Sequence, residues 1–495
     1  MAGDTQLMPN WLAHRAAVLP DQPALIAGGA RWSFAELDRL AGDLARWLLA
    51  LGLAPGDRAG LLLRNSLEFV ALVHAAPRAG VTLVPLNTRL AAPELAWQLA
   101  DSGTRLLIYD AGSAALAHAA LEQLGPAGAL AAVDIASQHD TPEPTAELRQ
   151  TIDLSEVYTI IYTSGTTGRP KGALLTYANY WWSAIGSALN LGSHADDRWL
   201  AVLPLFHVGG LSILVRAAIY GIPAVVHTSF DPAAANRAID EDGVTIVSVV
   251  STMLQRMLGE RGERPYPPAL RCVLLGGGPA PQPLLEACAA RGVPVVQTYG
   301  LSETASQVAT LAPADALRKL GSAGQPLLPT ELRIAGAGEV GEILVRGPTV
   351  MRGYINRPEE TAQALRDGWL HTGDLGYLDG EGYLYVVSRR HDLIISGGEN
   401  IYPAEVESAL LAHPAVEEAA VAGLPDERWG QAPVAAVKLR PGMDVSEAEL
   451  LDLCRRRLAG YKVPRQVRFV AALPRNAAGK LLRDAVRASL EELPR

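Results

Sequence analysis

The chain has 495 residues, 49% of them hydrophobic and 19% charged, with 43 basic against 52 acidic side chains for a net charge of −9. At a typical ~150 residues per domain this predicts about three domains, long enough to bury cores without disulfides or structural metals. The composition excludes a disordered chain, the acidic balance without a basic block excludes a sequence-independent nucleic-acid binder, and three cysteines without CxxC or Cys/His spacing exclude a zinc module.

The first twenty residues carry Asp4 and no long apolar segment, so no secretory signal is expected. Together with Cys272, Cys288 and Cys454 this predicts a reducing, cytoplasmic setting. Ser33 and Glu36 form a capping box, followed at helical spacing by Leu37, Leu40, Ala41, Leu44, Trp47, Leu48 and Leu51, with Gly52 closing the helix. Apolar runs at 58–63, 81–85 and 105–109 are short enough for buried strands. With the helical segments between them they give the βαβ rhythm of a largely parallel sheet. Residues 134–156 are polar, with Pro142 and Pro144, and predict a surface connection. Strand and helix alternate again from Val157 to about Leu311. The longest uncharged apolar stretch, 199–215, is broken by Pro204, His207, Gly209 and Gly210 and ends at Arg216. It falls short of the ~20 residues a spanning helix needs, so no membrane insertion is expected. From 331 to 387 short strands with Gly-rich turns predict a β-rich piece, and the block after Asp392 carries its own helices, one capped by Ser446 and Glu449. The class is α/β: a large N-terminal α/β body with parallel sheets and a β-rich subdomain, then a small C-terminal α+β domain.

The strongest local feature runs Thr163-Ser-Gly-Thr-Thr-Gly-Arg-Pro-Lys-Gly172, after the apolar run 157–162 and before a helical segment containing Trp181 and Trp182. Backbone N–H groups of a Gly-rich turn, the hydroxyls of Thr163, Ser164, Thr166 and Thr167, and the Lys171 cation suit a polyphosphate. Only two residues separate Gly165 from Gly168, and Gly172 follows the lysine, so this is not the Walker A loop. The chain has just five lysines, Lys171, Lys319, Lys438, Lys462 and Lys480, which draws attention to where a compact ammonium is kept. Gly336-Ala-Gly-Glu-Val-Gly341 fits GxGxxG, but a strand-like segment follows where the dinucleotide fingerprint needs a helix; a β-hairpin is expected instead. Neither GxSxG nor HExxH occurs. Trp181 and Trp182 read as packing residues.

With these residues in place, the chain resembles the adenylate-forming (acyl-CoA synthetase, AMP-binding) superfamily over nearly all its length. The phosphate loop matches that family's signature. Tyr299-Gly-Leu-Ser-Glu-Thr304, Thr372-Gly-Asp374, Ser388-Arg-Arg-His-Asp392 with Ser396-Gly-Gly-Glu-Asn400, and Pro474-Arg-Asn-Ala-Ala-Gly-Lys480 match its later motifs in order. Ser388 stands where the family usually has Gly. The resemblance implies ATP, Mg²⁺ and coenzyme A as co-substrates and cofactor, an N-terminal domain over 1–391 with its β-rich subdomain at about 322–391, and a mobile C-terminal lid over 392–495 hinged at Asp392. It implies Lys480 as the catalytic cation at carboxylate and α-phosphate, Glu303 as the Mg²⁺ ligand, and Asp374 and Arg389 at the ribose. For ATP or AMP it adds Thr163, Ser164, Gly165, Thr166, Thr167, Gly168, Lys171, Gly277, Tyr299, Gly300, Ser302 and Thr304. For coenzyme A it implies Ser396, Gly397, Gly398 and Glu399.

Further stretches, 176–183, 204–212, 251–255, 275–281, 297–307 and 319–324, resemble the menaquinone-pathway branch of the superfamily, which joins 2-succinylbenzoate to coenzyme A. That implies an acid pocket drawn from His207, Ser212, Arg216, Ser251, Gly276, Gly277 and Gly278. His207 lines or gates the acyl channel. Arg216 is open to two readings, a partner for the substrate's spare carboxylate or a helix-surface charge. Another acyl- or aryl-CoA ligase and a carrier-protein-loading adenylation enzyme share every catalytic motif. A non-catalytic nucleotide-binding regulator is disfavoured by the intact Lys480 and Glu303. The expected partners are small molecules, with no nucleic acid, and a homo-oligomer is left open.

Overall fold

The computed structural model describes residues 6–125, 130–140, 147–163, 170–278, 280–336, 339–389, 392–396, 399–401, 403–426, 429–458, 460–476 and 481–492. The N-terminal body is built on two sheets. In the seven-stranded sheet the strands Val157–Thr163, Thr82–Pro85, Arg58–Leu62, Leu106–Tyr109 and Ala131–Asp134 run side by side and parallel. In the nine-stranded sheet the parallel run is Val295–Tyr299, Cys272–Leu275, Ile246–Val249, Trp199–Ala201, Ala224–Val226 and Pro23–Ala27, with antiparallel strands at both edges. Such strands are buried on both faces, so they read as continuous apolar runs rather than alternations.

Helices fill the space between and outside the sheets. Phe34–Ala50 starts with the expected reciprocal cap: Ser33 Oγ accepts from the Glu36 N–H at 3.2 Å, and Glu36 Oε2 accepts from the Ser33 N–H at 2.8 Å. Its apolar face, including Leu37, Leu44, Trp47 and Leu48, is buried in the main core. Trp181 stacks on Trp11 with ring centroids 6.3 Å apart, a packing role as expected.

Residues 134–156 depart from a simple surface connection. Thr151–Asp153 is a strand antiparallel to Leu7–Pro9, and Leu148, Ile152 and Leu154 are buried in the main core. Ile152 and Leu154 flank Asp153 with period two, and the strand pairs with a segment far away in sequence. Pro142 and Pro144 lie outside the described residues.

The strands Glu331–Ala335 and Gly341–Arg346 pair as an antiparallel hairpin, so the GxGxxG match is a turn; Ala337 and Gly338 lie outside the described residues. With Leu365–Arg366, Trp369–Leu378 and Leu384–Arg389 they make a five-stranded antiparallel sheet. One short strand from this region, Gly353–Tyr354, leaves that sheet and adds to the edge of the seven-stranded one, beside Lys171–Thr176. The C-terminal region has a five-stranded mixed sheet, three helices and its own core around Ile394, Val406, Val421, Leu450 and Cys454. Ser446 caps the helix Glu447–Arg457 by accepting from the Glu449 N–H. All three cysteines are free and buried, and no helix among the described residues is long and apolar enough to cross a membrane.

Candidate active site

The phosphate loop joins two antiparallel strands, Val157–Thr163 and Lys171–Thr176, rather than a strand and a helix. The second strand was hidden in the sequence because Gly172 and the following Ala-Leu-Leu suit a helix start equally well. Pairing places Lys171 opposite Thr163, so the loop's first hydroxyl and its cation stand side by side at its mouth. Ser164, Gly165, Thr166, Thr167 and Gly168 lie outside the described residues.

Glu303 meets this mouth from the opposite side. It sits in the 3₁₀ turn Ser302–Thr304, just past the end of the strand Val295–Tyr299, the last of the parallel run in the nine-stranded sheet. Ligands in open α/β sheets collect at such carboxyl ends. The turn is tightly specified. Thr304, fully buried, returns its Oγ1 to the Leu301 N–H at 3.0 Å, and Ala305 and Ser306 adopt positive φ. A Cβ on Gly300 would sit 1.4 Å from the Ser306 carbonyl oxygen, so only glycine fits there. Thr163 Oγ1 lies 3.3 Å from Glu303 Oε1 and 3.5 Å from the Lys171 carbonyl, able to donate to either. Tyr354, absent from the sequence-derived candidates, donates its OH to the same Oε1 at 3.0 Å, and the Lys171 ammonium stands 5.4 Å from its ring centroid. Burial and the Glu303 charge raise the Tyr354 phenol, which keeps it a donor.

No cluster of three or more His, Cys, Asp or Glu residues able to hold a metal occurs among the described residues. Mg²⁺ does not require one: it commonly takes one or two protein carboxylates and completes its shell with water and substrate phosphates. A lone carboxylate beside a phosphate loop fits that habit.

A second pair meets further along. Tyr299 OH donates to Asp374 Oδ2 at 2.7 Å, and Asp374 is 6% exposed. Thr372 orders the bend before it, donating to the Ile343 carbonyl at 2.7 Å and accepting from the Asp374 N–H at 3.1 Å. Arg389 is the register partner of Asp374 on the neighbouring strand. Its side chain, and those of Ser388 and Glu399, lie outside what is described, as do Gly397, Gly398 and Lys480. Ser396 ends the strand Ile394–Ser396. Asp392, expected at the hinge, pairs with Arg483 at 3.3 Å, and Arg483 also donates to Glu407 at 2.9 Å, which ties Asp392 to the last helix.

Two of the acid-side candidates, Ser212 and Arg216, lie on the helix Val208–Tyr220, with His207 at its N-cap, and the helix's other positions are nearly all apolar and buried. Arg216 is 2% exposed, which overturns the reading of it as a helix-surface charge. A helix that is apolar all round is a core helix, and its one arginine goes in with it. Nη2 donates to Ser183 Oγ at 3.0 Å, the guanidinium lies 5.6 Å from the Trp199 ring centroid, and Nε has no partner among the described residues. No carboxylate among those residues pairs with it. Burial pulls its pKa below the usual arginine value. Ser212 Oγ and His207 Nε2 are likewise buried without a partner there. Ser183 donates onward to the Ala305 carbonyl at 2.7 Å, linking Arg216 to the backbone just past the turn that carries Glu303. Asn65 fixes the approach to the helix by donating to Leu203 and His227 carbonyls and accepting from the Leu205 N–H. Neither Ser183 nor Asn65 stood out in the sequence, because each acts through main-chain contacts more than a hundred positions away. Gly276, Gly277 and Gly278 follow the strand Cys272–Leu275, and Gly277 takes φ +81°. Ser251 opens the helix Ser251–Arg261.

Burial lowers the pKa of His207 to about 4, with the Arg89 charge adding to it, and burial lowers that of His74 to about 4. Both are therefore neutral at pH 7. Their unfolded values are near 6.5, so below that pH the unfolded chain takes up protons that the folded chain refuses. Stability falls as pH drops from 6.5 towards 4, by on the order of 2 kcal/mol per histidine at pH 5. Urea midpoints at pH 7.5 and 5.0 should show the fall, and a His74→Leu variant should show a visibly smaller one.

Residues 12–355 match the AMP-binding enzyme family, and residues 405–480 match the AMP-binding enzyme C-terminal domain. A 2-succinylbenzoate–CoA ligase of Geobacillus kaustophilus (strain HTA426) is 55% identical over 482 residues, 96% of each chain. The o-succinylbenzoate CoA synthetase from Bacillus subtilis, solved in complex with its acyl-adenylate intermediate, superposes with a TM-score of 0.91 at 45% identity, covering 97% of this chain and 98% of that one. The same enzyme in complex with ATP and magnesium ion gives 0.89, also at 45% identity, over 97% and 99%. Thr163 against Glu303, the Tyr299–Asp374 pair, and family matches over both parts of the chain converge: this protein belongs to the AMP-binding enzyme family.

Proposed function

We propose that the protein is an AMP-forming ligase that converts 2-succinylbenzoate to its coenzyme A thioester. In the first half-reaction a substrate carboxylate oxygen attacks the α-phosphorus of ATP. The bond to the bridging oxygen of pyrophosphate breaks, giving an acyl-adenylate. In the second, the thiol of coenzyme A attacks the acyl carbon and AMP leaves. The named relatives carry out or bind the species of this same sequence, at high identity over nearly the whole chain.

The chemistry brings two anions together, so its barrier falls where fixed donors and cations meet the transferring phosphoryl group. Thr163 and Lys171 serve that end at the loop mouth, and Lys480 bridges carboxylate and α-phosphate. Glu303 would hold the magnesium ion, which when bound would supply charge neutralisation at the phosphate oxygens. Tyr299 positions Asp374, whose carboxylate accepts from the ribose hydroxyls. Rotation about Asp392 then withdraws Lys480 and presents the loop 396–400 to coenzyme A; hinges of this kind are a few element-terminal residues that absorb the backbone change. The net charge of −9 and buried free cysteines support a cytoplasmic enzyme working on small molecules rather than nucleic acid.

The observation that carries the acid's identity is Arg216. A buried guanidinium without a carboxylate partner is costly unless a ligand completes it. 2-Succinylbenzoate brings two carboxylates, one for the chemistry and one to spare. Arg216→Ala should therefore raise the KM for 2-succinylbenzoate by about 30-fold or more, the cost of unpairing a buried charge. Its activity on a monocarboxylic acid should stay within about twofold of the parent. Steady-state assays of both acids measure this; equal losses on both would remove the carboxylate role. The reaction class is tested by isotope exchange. Acid-dependent pyrophosphate–ATP exchange without coenzyme A, and AMP with thioester once it is added, are expected. Release of ADP, or adenylate formation with no use of free coenzyme A, would contradict it.

A further inference from the structure

Tyr354 lies outside every motif that identified the site, yet it touches both halves of the phosphate-handling machinery. Its strand, Gly353–Tyr354, pairs antiparallel with Lys171–Thr176, Tyr354 opposite Ala173. The Arg352 N–H donates to the Leu174 carbonyl at 3.0 Å and the Ile355 N–H to the Gly172 carbonyl at 2.9 Å, so this segment is strapped to the loop's exit strand. One residue before that strap, the Met351 N–H donates to the backbone carbonyl of Glu303 at 2.8 Å. The Glu303 turn is thus held by main chain from the same segment that pairs with the strand Lys171–Thr176. On this frame the Tyr354 OH reaches Glu303 Oε1, which Thr163 Oγ1 also approaches, and no hydrogen bond among the described residues engages Oε2. The ring of Tyr354 stands beneath the Lys171 ammonium, within the range where a cation and an aromatic face attract.

We propose that Tyr354 is a positioning residue for the metal carboxylate: its hydroxyl holds Glu303 Oε1 and so turns Oε2 towards the magnesium ion carried by ATP, while its ring steadies Lys171. A carboxylate on a flexible side chain must give up rotamer freedom before it can hold an ion, and a fixed neutral donor removes that cost in advance. The hydrogen bond is to a charged acceptor, the stronger kind, and a neutral phenol adds no charge to compete with the cation. This rests on Glu303 being the magnesium ligand, and the test separates the two claims.

The readout is equilibrium binding of ATP to the full-length protein, in EDTA and in excess Mg²⁺, with no acid present. The ratio of the two dissociation constants is the metal-dependent gain in affinity. Tyr354→Phe keeps the ring and loses the hydroxyl. It should cut that gain by about tenfold, the scale of a hydrogen bond to a charged group, while ATP binding in EDTA stays within about twofold of the parent. Made in a Glu303→Gln background the same change should have little further effect, because the two act as one unit. A Tyr354→Phe protein with the full metal-dependent gain overturns the inference, and so does a loss that persists undiminished in the Glu303→Gln background. If Glu303→Gln itself keeps the full gain, the assignment of Glu303 fails and Tyr354 falls with it; if only Tyr354→Phe is silent, Tyr354 alone is wrong. Tyr354→Leu, which removes ring and hydroxyl together, should in addition weaken ATP binding in EDTA, since Lys171 loses its support.

Discussion

Glu303→Gln should slow acyl-adenylate formation by about 10²–10³-fold with the fold intact, the loss typical of removing one preorganised electrostatic group from a reacting site. Glutamine keeps the size and can still accept from Thr163 and Tyr354 at its carbonyl oxygen, so the turn around Thr304 has no reason to move. What it lacks is the negative charge, and a hard divalent cation discriminates strongly between a carboxylate and an amide. The effect should therefore appear as a raised Mg²⁺ requirement and a lower limiting rate in pyrophosphate–ATP exchange. The KM for the acid should change little, because Ser212 and Arg216 lie on the helix Val208–Tyr220 and not in the turn that carries Glu303. A Glu303→Gln enzyme with normal exchange at low Mg²⁺ would show that the carboxylate has another task.

Lys480→Ala should have an effect as large, about 10³-fold on adenylate formation, but confined to that half-reaction. A compact ammonium that touches both reactants at the transferring phosphorus neutralises charge where it develops, and alanine leaves that charge to water. Thioester formation from supplied acyl-adenylate and coenzyme A should stay within about threefold, since Lys480 is withdrawn in that step. The two rates, measured separately on the same variant, make the check. Equal losses in both would argue against a lysine that serves only the first step.

The motifs expected at the phosphates were legible because each is local in sequence, 163–172, 299–304 and 372–374 each falling within ten positions, and the structure brings Thr163 and Tyr299 of the first two against Glu303 and Asp374. What was not legible came from strands that pair across long separations. Tyr354 belongs to a two-residue strand whose partner lies near Ala173, and nothing in Gly-Tyr alone announces that pairing. Thr151–Asp153 was read as surface connection for the same reason, its partner being Leu7–Pro9 at the far end of the body. Arg216 is a different case. The signal was present in the all-apolar helix around it, but one charged residue invited the reading of an exposed face. The buried geometry reverses that reading: Arg216 is 2% exposed. Ser183 was within a stretch recognised by resemblance, yet its link from Arg216 to the Ala305 carbonyl needs two helices and a turn to be placed in space.

The most direct test of the whole account is kcat/KM for thioester formation by the purified protein with ATP and Mg²⁺, comparing 2-succinylbenzoate, benzoate and octanoate. Preference for 2-succinylbenzoate by at least about 10²-fold, with AMP and pyrophosphate as products, is the predicted result for a pocket that needs the second carboxylate. Equal or better turnover of benzoate or octanoate would leave the adenylate chemistry standing and contradict the proposed substrate.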